Sequence, residues 1–215
     1  MKNYFLLLFI ALTASININA QNQHDFKIGV NAGLNYPDVR GNEYAKYNNF
    51  KVGYLVGVTL DYYFNQNLSL KSNINYERRI KKLQLTYYNY DAEETGKENF
   101  REITEFINLP VLLKYEFLNS RFFVNGGGFI NYVLDNNYEP EYPIDNINEY
   151  TGKNNIDYGF SAGAGINIFL DKKNWLILEI RDDFGIADIG GVPQNIGGKL
   201  QTNSIKLILS WNLGI

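Results

Sequence analysis

Glu179, Arg181 and Asp183 stand at alternate positions in the run Glu179-Ile180-Arg181-Asp182-Asp183. On an extended strand a spacing of two puts all three on one face and Ile180 on the other. An arginine between two carboxylates can neutralise both, so this spacing points to ion pairing. It recurs in Glu77/Arg79 and in Lys114/Glu116, and single bases, Lys71 and Lys206, occupy the same kind of face elsewhere. These nine residues, Lys71, Glu77, Arg79, Lys114, Glu116, Glu179, Arg181, Asp183 and Lys206, form the candidate charge network. With Lys27, Asp61 and Asp157 added, the polar faces carry six acids and six bases. A balanced set that is removed from water must pair, because an unpaired buried ion is costly.

Catalytic chemistry has few residues to use. The chain has one histidine, His24, placed before the first strand, and no cysteine. A general base must reach the proton it takes, and zinc sites favour several His or Cys ligands. Glu93, Glu94 and Glu98 could pair as carboxylates, but they sit in a charged, solvated stretch. The run Gly126-Gly127-Gly128 lies inside a strand and reads as a bend or close packing. It lacks the strand–loop–helix context of a phosphate-binding loop. The expectation is no catalytic residue, no cofactor and no metal.

The elements that hold these residues show a period of two. Phe26 to Tyr36 alternates apolar residues with Lys, Gly and Asn, and Tyr158 to Ile168 repeats the pattern. Eight strands are predicted, over approximately 26–36, 52–64, 68–80, 103–117, 121–134, 156–170, 175–187 and 202–214. Short connections of Asn, Asp, Ser and Lys at 65–67, 118–120 and 171–174 alternate with long polar ones at 37–51, 81–102, 135–155 and 188–201. Short periplasmic turns alternating with long external loops are the pattern of a barrel in lipid. The predicted fold is all-β: an eight-stranded antiparallel up-and-down transmembrane β-barrel.

The N-terminus reads as a separate segment. Lys2, the apolar run Tyr4 to Leu12 and the small, polar exit ending at Ala20 match a secretory signal peptide, which divides the chain into 1–20 and a barrel domain of 21–215. Asn17 and Asn19 end the run too early for a membrane-spanning helix. Removing Lys2 takes the formal net charge from −3 to −4, and such a chain lacks the basic character of a nucleic-acid binder. With no cysteine the fold rests on hydrogen bonds and packing alone.

A soluble up-and-down barrel would bury its apolar rows inside. Here the other row holds Gly29, Gly33, Gly57, Gly159, Gly163 and Gly165 with scattered charges, too little to form a solvated surface. The apolar rows are therefore expected to meet outer-membrane lipid and the charged rows to fill the lumen, with the glycines making room for long side chains. A salt-bridged plug is preferred to a selective pore. Asp182 falls on the lipid side, which requires a rim position or a bulge. Arg78 is read as a rim residue that snorkels toward the outer boundary. The loop at 135–155 is acidic and aromatic, and Tyr138, Glu139, Glu141, Tyr142 and Asp145 are its candidate surface-binding residues.

Several stretches carry a family likeness: Lys27 to Asn35, Tyr54 to Phe64, Ile107-Asn108-Leu109-Pro110-Val111 through Tyr115, and Phe122 to Phe129. With a signal peptide followed by Gln21, they resemble the PorT-like outer-membrane β-barrel family of Bacteroidota. The resemblance implies an eight-stranded outer-membrane barrel and assigns no particular activity. A namesake branch of the family is associated with type IX secretion and gliding. Trp211, Leu213 and Ile215 alternate as an insertion signal should, although an aromatic last residue is missing. The function expected is that of a non-enzymatic, monomeric barrel that is structural or surface-binding. An accessory role in type IX-like secretion and a narrow solute channel are the alternatives. Its partners would be lipid and a protein at the surface or in the periplasm.

Overall fold

The structure is a computed structural model that describes residues 26–41, 49–88, 94–117, 119, 121–140, 154–171, 173–190 and 199–214, without the side chains of 83–88, 94–95, 97–100 and 138–140. The strands are β1 (Phe26–Arg40), β2 (Asn49–Tyr63), β3 (Leu68–Tyr88), β4 (Glu94–Phe117), β5 (Phe122–Pro140), β6 (Ile156–Phe169), β7 (Asn174–Gly185) and β8 (Gln201–Gly214). Each pairs antiparallel with the next, and β1 also pairs with β8, which closes the barrel. All eight predicted strands are present.

The faces are inverted relative to a soluble barrel. Outward side chains are apolar and open, as at Val30, Phe160 and Ile180, the last 61% exposed. Inward ones are mostly polar and sealed: Lys71, Lys114, Glu179 and Arg181 are all 0% exposed, with Leu55, Leu112, Phe123, Ile177 and Ile208 buried among them. Phe26, Phe64, Tyr115 and Phe122 ring the end with the short turns, while Tyr36, Tyr54, Tyr132 and Tyr158 ring the opposite end. An apolar band between two aromatic girdles is what a lipid bilayer selects.

The inward glycines serve packing. A Cβ on Gly165 would stand 2.4 Å from Phe123 Cζ, and one on Gly163 would stand 2.7 Å from Asn125 Oδ1. Pro110 lies within β4, which has a neighbour on each side, and contributes no ladder N–H. The β3–β4 pairing is interrupted there, between Ser72↔Val111 and Asn75↔Asn108, and the Ser72 hydroxyl donates to the Pro110 carbonyl at 3.0 Å.

Several strands run further than the sequence suggested: β1 continues through 37–40 opposite Ser204 to Gln201, β2 begins at Asn49, and β3, β4 and β5 extend furthest. Segments 81–88 and 94–102, expected as loop, are the paired ends of β3 and β4, with Tyr87 opposite Gly96. β5 continues to Pro140, opposite Phe100. Most of the expected loop 81–102, with 135–140 of the loop 135–155, is thus a three-stranded extension of the sheet. Asp182 keeps its outward place with no register shift along β7, opposite Ala162 and Ile205. It lies near the rim with Asn203 and Arg40 as polar neighbours.

The opposite end is tied by short side-chain-capped turns. Asn65 Oδ1 accepts from the backbone N–H of Asn67 and of Leu68, each at 2.9 Å. Asn119 takes a positive φ of 56°, which asparagine tolerates. Asp171 accepts from the N–H of Lys173 at 2.8 Å and of Asn174 at 2.9 Å. The Lys173 N–H, with further help from Asn174, holds the Asp171 carboxyl below its ordinary range. A depressed carboxyl stabilises its turn fully above the ordinary carboxylate pKa and loses that effect as pH falls through the lowered value. The amide chemical shifts of Lys173 and Asn174 should therefore titrate below the ordinary carboxylate range in wild type and lose that step in Asp171→Asn. A step at the ordinary pKa would contradict the turn geometry.

Candidate functional site

The inward rows of all eight strands meet in a lumen that side chains fill in three tiers. Near the short turns, Lys114 Nζ lies 3.1 Å from Asp61 Oδ2 and 2.7 Å from Glu116 Oε1. Tyr63 donates to Glu116 Oε1 at 2.6 Å and accepts from Lys27 Nζ at 2.7 Å. Lys27 Nζ also lies 4.2 Å from the centre of the Trp175 ring, a favourable place for a cation short of water.

In the middle tier Glu179 is the hub. Its Oε2 lies 2.5 Å from Lys71 Nζ, and its Oε1 accepts from Arg181 Nε at 2.7 Å and Asn125 Nδ2 at 2.9 Å. Arg181 Nη2 donates onward to Asn73 Oδ1 at 3.2 Å. Lys71 and Asn73 belong to β3, whereas Glu179 and Arg181 belong to β7. In a ring of eight these strands face each other across the full diameter. The contacts therefore cross the lumen.

The outer tier is built on Glu77. Its Oε1 accepts from Arg79 Nε at 2.8 Å and Asn35 Nδ2 at 3.1 Å, and its Oε2 from Lys206 Nζ at 2.6 Å. Lys206 also reaches Asp183 Oδ2 at 2.6 Å, and the Ser161 hydroxyl donates to Asp183 Oδ1 at 2.6 Å. Asn108, from the sequence stretch that carries the family likeness, donates to Asn131 Oδ1 at 2.7 Å and to Asp183 Oδ2 at 3.3 Å.

All nine network residues lie inside and buried. Their partnerships differ in one place from the local spacing. Asp183 was expected to share Arg181 with Glu179; its cation is instead Lys206 of β8, while Glu179 draws Lys71 from the far wall. Asn35, Asn73, Asn108 and Asn125 complete the network and were not singled out in the sequence. Their signal was present, since each sits on the inward parity of its strand.

Of the loop residues, Tyr138 and Glu139 lie on the outer end of β5, where the backbone of Glu139 stands opposite that of Arg101. Glu141, Tyr142 and Asp145 fall outside the described residues, as do His24, Glu93 and the segment 1–20. Among the described residues no group of three or more His, Cys, Asp or Glu could hold a metal ion.

The chain belongs to the outer membrane protein beta-barrel domain family, whose model matches residues 19–190. None of the curated proteins matches it. Among solved structures, the outer membrane protein OprG from Pseudomonas aeruginosa is 13% identical with a TM-score of 0.49, over 93% of this chain and 99% of that one. Neisserial surface protein A is 12% identical with a TM-score of 0.43, over 91% and 100%. The attachment invasion locus protein Ail of Yersinia pestis is 8% identical with a TM-score of 0.39, over 89% and 99%.

The network predicts unequal costs for neutralising its bases. Arg181→Met leaves Glu179 with Lys71 and Asn125, whereas Lys114→Met removes the cation that contacts Asp61. Stranding a buried charge costs about 3–5 kcal/mol. Urea unfolding in lipid should show Lys114→Met as the more damaging change, with Lys114→Met/Asp61→Asn recovering part of the loss. Equal midpoints for Lys114→Met and wild type would remove the network as a source of stability.

Proposed function

We propose that this protein is a non-enzymatic, monomeric barrel of a Gram-negative outer membrane that acts by binding at its outer end. In this reading the signal peptide 1–20 directs export and residues 21–215 form the barrel. The observation that carries the proposal is the set of contacts from β3 to β7 across the lumen, Lys71–Glu179 and Arg181–Asn73, between side chains that are almost fully buried. An eight-stranded barrel has an interior just wide enough for side chains to fill. Ions held there by opposite charges obstruct the lumen in this reading, so transport through the barrel is a poor use of this scaffold.

What remains available is the surface above the membrane. The extended ends of β3, β4 and β5 raise one side of the barrel as a paired sheet, and this ribbon carries Tyr138 and Glu139. Binding groups on a rigid scaffold lose less entropy on contact than groups on a slack loop. Acidic and aromatic residues at 138–145 suit a basic or cation-bridged protein partner at the cell surface. The PorT-like affiliation within the family is part of the same proposal and rests on the stretch Ile107 to Tyr115, whose Asn108 is an internal hub. It carries no secretion role by itself.

Purified protein in planar bilayers should show no steady conductance, and unboiled samples should migrate faster on gels than boiled ones. Replacing 141–153 by a tight turn should preserve that gel shift and abolish crosslinks to a surface partner. Stable wild-type channels would refute the closed lumen. Crosslinks retained at full yield through the short turns would move the binding site to the periplasmic side.

A further inference from the structure

Above the outermost tier of the plug lies a partly open cavity of about 120 Å³. Val39, Phe50, Phe106, Val133, Ile189 and Leu200 form its apolar wall. Phe106 on β4 and Val133 on β5 are inward by the ordinary alternation of their strands, whereas Phe50 owes its place to an irregularity. A register shift on β2 between Lys51 and Tyr54 reverses the parity of the strand, so that Phe50 lies opposite inward Lys81. A second shift, between Glu105 and Phe106 on the β4–β5 pair, puts Asn136 opposite Thr104, and both line the cavity. Bulges at barrel rims re-aim side chains in this way, and they gather beside binding sites.

The cavity also meets two buried polar groups with unused capacity. Arg79 is 6% exposed; its Nε is bound to Glu77, and its Nη2 donor has no partner. Asp157 is 1% exposed; its Oδ2 accepts from Asn131 at 3.0 Å and Thr202 at 2.7 Å, and its Oδ1 has no partner. Nearby, Lys81 and Glu102 neutralise each other at 2.5 Å. A buried donor and a buried acceptor without partners each carry a desolvation cost that a ligand could offset.

We propose that this mouth is a binding site for a small uncharged amphiphile with an apolar body and a head that both accepts and donates a hydrogen bond, such as a primary amide. The head accepts from Arg79 and donates to Asp157, while the body lies against Phe50, Phe106 and Leu200. A carboxylate would satisfy Arg79 but oppose Asp157; an ammonium would do the reverse. The site rests on the closed-lumen reading, since the outer tier is its floor.

The test uses three isosteric probes, 4-(trifluoromethyl)benzamide, the matching benzoate and the matching benzylamine. Each is titrated by fluorine NMR against the full-length mature protein in phosphatidylcholine nanodiscs, with empty nanodiscs as the partition control. The amide should bind about tenfold or more tightly than either ion. Leu200→Trp, which fills the cavity without touching the plug, should abolish amide binding while the gel shift confirms a folded barrel. Asp157→Asn should narrow the gap between amide and benzoate by about tenfold. Equal affinities for the three probes overturn the site, as does amide binding no stronger than to empty nanodiscs or unchanged by Leu200→Trp. Conductance on the same preparation separates the two readings, because an open channel refutes the plug while the order of the probes still decides the site.

Discussion

The pairing of β1 with β8 is the constraint from which the rest follows. Lys27 to Arg40 run opposite Gly214 to Gln201 without interruption, so the sheet has no free edge along that seam. In hydrocarbon an unpaired backbone N–H or C=O costs several kcal/mol, and only closure satisfies them all. Once the ring is shut, strand alternation has a single meaning. One set of side chains must meet lipid and the other must meet itself.

That second requirement makes the lumen an electrostatic problem. Six acids and six bases are buried in the lumen, and they are arranged so that each tier holds charges of both signs. Glu179 and Glu77 each take two cations, Lys206 and Lys114 each contact two carboxylates, and asparagines fill the remaining geometry. Buried pairs of this kind are weak evidence for raw stability against an apolar replacement, but breaking one is expensive. An apolar interior would also leave a strand with two apolar faces and no signal for which should meet lipid. The charged rows fix register, because a slip of one residue would put Lys71, Glu179 and Arg181 into hydrocarbon.

The outer end obeys different rules. Beyond the membrane both faces of a strand can meet water, and β3, β4 and β5 continue there as a paired sheet. At the same height the bulges on β2 and on the β4–β5 pair break the parity that governs the body of the barrel. The shift on β2 turns Phe50 inward, where it joins Val39, Phe106 and Leu200 above the outer tier of charges.

The sequence by itself determined the class, the strand count, the two faces and which charges lie inside. All of these follow from a period of two, and every inward charge named from parity is buried. It also placed the short turns, whose Asn and Asp caps act within a few residues. It did not reveal that 81–88 and 94–102 are strand: Leu83, Leu85 and Tyr87 do alternate with Gln84 and Thr86, but the charged stretch 91–102 reads as solvated loop, and the pairing of the two segments depends on the register of β3 with β4. Nor did it reveal who pairs with whom. Parity gives a side chain's face but not its height or its wall, so Lys71 meeting Glu179 across the diameter, and Asp183 turning to Lys206, depended on the register of the whole ring. The inward turn of Phe50 is of the same kind, since one extra residue in a strand leaves no mark in composition and yet reverses every side chain beyond it.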